Sequence, residues 1–298
     1  LWTKIHPYQD LPRVIDPKSG WLQNTNDPPW TTTFPTAINP DNYPTYMAPR
    51  GLIFPKDFRT ERSIRMLREH HKISFAQMVE DKHSTRMELA DHLLDHLISA
   101  SRKHGGELAQ RAADVLVKWD RQANADSRGA VLFAFWAKQM HLNDQAFSFP
   151  WSQNSPVTTP TGLSDPKLAV ATLEAVADKV SKAYGKLDIA WGDVFRLKVN
   201  NQDLPANGGP GGLGIFRALD FAPTSKGRFQ AVSGDSFVAT IEFSQPVRAM
   251  ALLSYGNATQ PNSPHLGDQL QMFTRKQLRP VWRQRSDILA HLEERKVF

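Results

Sequence analysis

Histidine, glycine, serine and carboxylate groupings along this chain each suggest a different chemistry. His92 and His96 stand at i and i+4 in His92-Leu93-Leu94-Asp95-His96, a spacing that lets one helix face chelate zinc. The glutamate base of a zinc protease is missing from that pattern and no third ligand is evident, so the pair reads as the polar surface of an amphipathic helix. His70 and His71 follow Arg68-Glu69 at an expected helix end, where cations suit the macrodipole, and read as structural. Residues 207–214 are glycine-rich enough to suggest a phosphate cradle. A P-loop needs a Lys-Ser/Thr pair and a following helix, whereas Ile215-Phe216-Arg217 reads as a strand, so a flexible turn is expected there. No Gly-x-Ser-x-Gly elbow occurs, and Gly234-Asp235-Ser236, which comes closest, leads straight into a strand. His265 lies near Asp268, and the pair reads as a turn-locking hydrogen bond rather than an acid–base couple.

Three regions of different texture must position these residues. Residues 1–56 are rich in Pro, Asn, Asp, Thr and Trp, a composition of turns and extended segments that reads as ordered loop. Residues 57–186 read as helices. Met87, Ala90, Leu94, Leu97 and Ile98 form one helical stripe in 85–104, and Leu108, Ala112, Val115, Leu116 and Trp119 form the next in 107–119. Residues 127–140 are apolar nearly all round, the mark of a buried helix. After a Pro-rich loop at 150–166, Ala169, Leu173, Val176 and Val180 predict a helix that stops at Gly185. From 187 to 298 the period changes: Phe237, Ala239, Ile241 and Phe243 alternate with Val238, Thr240 and Glu242. Strands are expected at 213–221, 228–233 and 246–254 beside it, with a charged helical tail at 285–295. Helices followed by strands predict an α+β fold.

Composition narrows the function classes. The absence of cysteine excludes disulfides, thiolate metal sites and a cysteine nucleophile. The formal charge of +6 is spread among acids, as in Lys56-Asp57-Phe58-Arg59-Thr60-Glu61-Arg62, so no nucleic-acid face is expected. No apolar run approaches the length of a membrane-spanning helix, so no membrane insertion is expected. The chain opens Leu1-Trp2-Thr3-Lys4, without an initiator Met or a signal peptide, and a cut precursor is the expectation.

The segment Asp16-Pro17-Lys18-Ser19-Gly20-Trp21-Leu22-Gln23-Asn24-Thr25-Asn26-Asp27 resembles the Pro-x-Ser-Gly-Trp/Tyr-x-x-Asn-x-Asn stretch of penicillin acylases. The run from Ser254-Tyr255-Gly256-Asn257 through Pro261-Asn262-Ser263-Pro264-His265 to Asp268-Gln269 is similar to that family's closing motif. Trp119-Asp120 followed by Ser127-Arg128-Gly129-Ala130 resembles it as well. Such enzymes are N-terminal-nucleophile hydrolases. The resemblance implies part of a four-layer αββα sandwich with a helical insertion at 57–186.

It also implies a mechanism. A precursor of this family cleaves itself to expose a Ser, sometimes a Thr or Cys, at the N-terminus of a β chain; the freed amine is the base and the hydroxyl attacks the amide carbonyl. An asparagine side chain helps to hold the oxyanion. By motif position that residue is Asn26, although loop asparagines by type alone read sooner as turn formers. A site-orienting arginine opens the next helix, and Arg59 in Arg59-x-x-Arg62-x-x-Arg65 matches best, with Arg62 or a purely structural ion pair as the alternative. The nucleophile lies outside this chain, so the implied partners are the α chain and the N-terminal part of the β chain of the same precursor. The implied substrate is a small N-acyl amide: an acyl-homoserine lactone, a lipopeptide or a β-lactam side chain. A periplasmic or secreted bacterial location is implied too. No cofactor is expected: penicillin G acylases bind calcium, but Asp41 has a different spacing and calcium is not supported. The competing reading is a non-catalytic subunit or interaction module on the acylase fold.

Overall fold

Tertiary pairing trims the first helical stripe at its start. The computed structural model describes residues 4–48, 58–152, 154–225 and 227–297. Met87 is extended, with its N–H given to Arg121 O at 2.8 Å, and Arg86 bridges to Gln122. The helix expected from 85 therefore starts at Glu88. We number the described helices α1 Phe58–Glu69, α2 Phe75–Lys82, α3 Glu88–His104, α4 Glu107–Val117, α5 Ala130–Met140, α6 Pro166–Tyr184, α7 Trp191–Val194, α8 Leu270–Thr274 and α9 Arg285–Ala290. Glu88 and Asp91 in the first turn of α3, and Arg102, Lys103 and His104 in its last, complement the helix dipole.

The helices α3, α4 and α6 pack on one another, and α5 packs on α6. As its all-round apolarity predicts, α5 is buried over most of its length. Its start demands glycine: Gly129 has φ +103°, and a Cβ there would stand 2.7 Å from Trp119 Cβ. The α6 helix ends at Gly185 in the left-handed conformation, where the sequence places its stop.

The described strands are β1 Phe147–Phe149, β2 Thr161–Leu163, β3 Phe195–Val199, β4 Gln202–Pro205, β5 Leu219–Pro223, β6 Phe229–Gly234, β7 Phe237–Glu242, β8 Arg248–Leu253 and β9 Arg279–Pro280. They form a two-stranded ladder, a four-stranded sheet of order β4-β3-β6-β5 with β3 and β6 parallel, and an antiparallel sheet β7-β8-β9. One continuous core joins helices to sheets, from Leu94 and Trp136 to Phe195, Leu252 and Phe273.

Two strand expectations change. Residues 215–217 form no strand, because Ile215 and Arg217 are both drawn fully inside and Arg217 N bonds to Ser84 O. In β7 the buried positions are Val238 and Thr240, while Phe237 is 62% and Ile241 53% exposed. The larger apolar face of this strand points outward. Strands β3 and β4 lie outside the expected strand ranges, although Phe195, Leu197 and Val199 alternate with Arg196 and Lys198 as a half-buried strand does; β4, four residues long, carries no such pattern.

In the first region the described residues hold short 3-10 turns and no longer element. A small core of Trp30, Ile38 and Ala48 orders it. Among the described residues no helix is long and apolar enough to cross a membrane. The expected boundary near 56/57 lies outside the described residues.

Candidate active site

The loop that carries Asn26 is tied by one carboxylate. Asp27 Oδ1 accepts from Thr25 N at 2.6 Å and from Thr25 Oγ1 at 3.0 Å. Asp27 Oδ2 accepts from Gln23 Nε2 at 2.8 Å and from the Thr31 hydroxyl. Gln23 Nε2 also reaches Thr31 O at 2.9 Å, closing the loop on itself. A buried contact of 2.8 Å between the Thr25 and Thr60 hydroxyls then pins the loop to α1.

Within that frame Asn26 adopts φ +68°, a left-handed conformation that asparagine tolerates better than most residues. Asn24 Oδ1 accepts from Asn26 N at 3.0 Å and holds the turn. Arg59, on the first turn of α1, donates through Nη2 to Thr25 O and to Asn26 Oδ1, the latter at 2.7 Å. A guanidinium is a donor only, so the amide atom facing it must be the oxygen. The Asn26 NH₂ group is thereby turned away from Arg59, on an exposed residue. The arrangement offers a fixed hydrogen-bond donor at a loop surface.

Behind it lies a buried charge cluster. Glu61 and His92 approach at 2.8 Å, and Glu88 Oε1 accepts from Arg65 Nε at 2.7 Å. Arg62 Nη1 stands 3.7 Å from Glu88 Oε2. Burial pushes the Glu61 carboxyl up to about 7. Burial opposes the charge of His92 too, yet the Glu61 and Glu88 carboxylates prevail and raise it to about 9. For Glu88 burial is likewise the largest influence, outweighed by His92 and Arg65, which hold it below its ordinary value.

The expectation that His92 and His96 line a polar surface is therefore corrected for His92, which is 4% exposed; His96 is exposed and is not part of the cluster. The missed signal was Glu88, one helical turn before His92 on the apolar side of α3. Side-chain atoms of Glu61, Glu88 and His92 lie within 4.8 Å of one another, close enough for metal ligands. Because Arg65 already neutralises Glu88 and Arg62 adds a further positive charge beside it, the donor set fits an ion-pair cluster better than a cation site.

A second buried ion sits at the C-terminal end of α2, against its capping residue His83. Arg217 is fully buried, and its Nε donates to Asn207 O at 3.0 Å. Nη1 meets His83 Nδ1 at 2.5 Å, Nη2 donates to Phe273 O, and the guanidinium lies 4.0 Å over the Phe273 ring. Burial, then the charge of Arg217, lowers His83 to about 3, leaving it a neutral acceptor. The glycine-rich stretch is a turn, as expected, but a packed one: a Cβ on Gly208 would fall 2.5 Å from Arg217 O.

The remaining groups are structural. His265 Nδ1 lies 3.1 Å from Asp268 Oδ2, as the turn reading requires, and its Nε2 lies 3.4 Å from Glu293. Asp235 receives Lys82 Nζ at 2.8 Å. Asp41 is exposed in a short turn, where its N–H bonds to Asn39 Oδ1.

Comparison with known proteins gives the family of the chain. The family model described as penicillin amidase matches residues 1–290. Acyl-homoserine lactone acylase PvdQ of Pseudomonas syringae is 27% identical to the chain, with 92% of this chain and 36% of that protein aligned. The PvdQ of Pseudomonas putida is 25% identical, over 98% of this chain and 38% of its own length. Aculeacin-A acylase of Actinoplanes utahensis is 23% identical, over 91% and 37%. The chain thus spans little more than a third of the length of these curated relatives. A solved structure of a thermostable penicillin G acylase from Alcaligenes faecalis superimposes with a TM-score of 0.55 at 15% identity, covering 100% of this chain and 60% of the other. That likeness is one of fold, and it agrees with the expected α+β architecture. The chain belongs to the penicillin amidase family.

Proposed function

We propose that this chain supplies the oxyanion-binding part of an enzyme that hydrolyses N-acyl amides through an acyl-enzyme. The observation that carries the reading is the 2.7 Å contact from Arg59 to Asn26 Oδ1, which turns the asparagine NH₂ outward as a pre-oriented donor. Asn26 is the catalytic residue in this reading, and Arg59 is a positioning residue.

The nucleophile is a serine at a chain start released from the same precursor, on a segment beyond this one. The match to little more than a third of each acylase relative supports that division. The exposed Phe237 and Ile241 on one side of β7 support it too, as apolar surface that the rest of the sandwich covers. The names of the relatives favour an N-acyl amide such as an acyl-homoserine lactone as substrate; medium or long aliphatic acyl chains and a periplasmic or secreted location complete the proposal.

The test is kcat/KM of the complete processed protein across a chain-length series of N-acyl-homoserine lactones, beside phenylacetyl and glutaryl amides. A rise with chain length, and no turnover by residues 1–298 purified alone, is expected. Turnover by this segment alone would overturn the placement of the nucleophile. A preference for phenylacetyl would overturn the substrate class, and no amide hydrolysis by the complete protein would leave the non-catalytic module as the better reading.

A further inference from the structure

Apart from the Asn26 loop, the helical layer and the four-stranded sheet leave an apolar pocket of about 440 Å³ between them. Phe58 and Phe135 wall it on the helical side, and Phe195, Phe221 and Phe229 on the sheet side. Trp191 forms part of the lining and stacks on Phe195 at 3.8 Å. Its indole N–H is given to Gly208 O at 3.0 Å, so the ring offers the pocket only carbon. Phe135, Phe221 and Phe229 are each only half-buried, so these apolar rings keep some exposure in the chain as it stands.

The polar groups of this pocket gather at one place. Lys138 and His141, in the last turn of α5 and just beyond it, belong to its lining. Both are exposed, and among the described residues no carboxylate lies within ion-pair distance of Lys138. The carbonyl end of α5 is equivalent to about half a negative charge, which the full charge of the lysine exceeds. An apolar concavity with one cation and one imidazole at its edge fits a ligand with one apolar tail and one anionic head.

We propose that this pocket is a non-catalytic site for an aliphatic monocarboxylate, its chain between the phenylalanine walls and its carboxylate at Lys138 and His141. The acid released by hydrolysis of an N-acyl amide has this chemistry, but the site does not depend on that reaction. Neither Asn26 nor Arg59 lines it.

The test uses the complete processed protein with decanoate and decanol, measured by calorimetry and by competition against a fluorescent fatty acid. Decanoate is expected to bind saturably and to bind equally well to the Asn26→Ala variant, so that failure of the hydrolase reading does not affect this outcome. Lys138→Gln, at an exposed position, is expected to weaken decanoate roughly fivefold and to leave decanol unchanged, the loss appropriate to one exposed ion pair. Leu213→Trp, which fills the pocket, is expected to weaken both by about tenfold or more, with folding verified by thermal melting. Absence of saturable binding would mean that the rest of the protein occupies the pocket, and it overturns the proposal. So does decanoate binding that neither variant alters.

Discussion

Arg59 and Asn26 are joined by a 2.7 Å hydrogen bond whose direction chemistry dictates: the guanidinium donates and the amide oxygen accepts. Arg59→Ala removes that constraint and lets the amide turn either way. In the complete protein kcat is expected to fall by roughly tenfold to a hundredfold with little change in KM, a loss of transition-state stabilisation without loss of binding. Arg59→Lys keeps one donor and should recover part of the rate. A drop in thermal stability with unaltered kcat would make Arg59 a structural residue.

Asn26→Asp tests polarity at constant shape. The carboxylate keeps its partner in Arg59 and places negative charge where the oxyanion would form. Folding and Tm should be preserved while kcat falls at least as far as in Asn26→Ala. An active Asn26→Asp variant would contradict the oxyanion role.

Asp27 has no place in the proposed chemistry, yet its carboxylate joins Gln23, Thr25 and Thr31. Asp27→Ala should cost about 1–3 kcal/mol by leaving buried donors unpaired. It should also lower kcat, because Thr25 O and Asn26 are held by the same loop. Chemical denaturation together with single-turnover rates would separate the two effects.

The Glu61–His92 pair predicts a stability loss on the alkaline side. His92 is raised from 6.5 to about 9 by the facing Glu61 and Glu88 carboxylates, with Arg65 and Arg62 beyond them. A folded-state value above the unfolded one means that the contribution is complete below pH 6.5 and is lost as pH climbs through 9. Glu61, raised from 4.5 to about 7, moves stability in the same sense over its own lower range. Glu88, held below its ordinary value, works the other way and loses its contribution on acidification. The Tm of wild type should fall from pH 6.5 to 9.5 more steeply than that of His92→Gln. Parallel curves would show that His92 is neutral in the folded protein.

How much of this was legible in the sequence depends on the range of the interaction concerned. Helical stripes such as Met87, Ala90, Leu94 and Leu97 are local, and they placed α3, α4, α5 and α6 within a few residues. The expected Asn26 and Arg59 lie 33 residues apart, and their meeting follows from a family motif rather than from periodicity. The groups that hold them were hidden. Asp27 reads as an ordinary turn former, and Thr60 as an ordinary helix residue. Glu61 and His92 sit on different helices, α1 and α3, so no spacing within either reveals their pairing. Arg217 follows a glycine-rich turn and looks like a surface residue, but only tertiary packing shows His83 and two carbonyl groups gathered around it.

The most direct measurement of the central claim is kcat for Asn26→Ala in the complete processed protein, on the best N-acyl substrate, with KM and Tm recorded beside it. A donor that meets the developing oxyanion should cost about 10²–10³ in kcat on removal, with KM and Tm close to wild type. An unchanged kcat in a folded variant would remove Asn26 from the site and contradict the account.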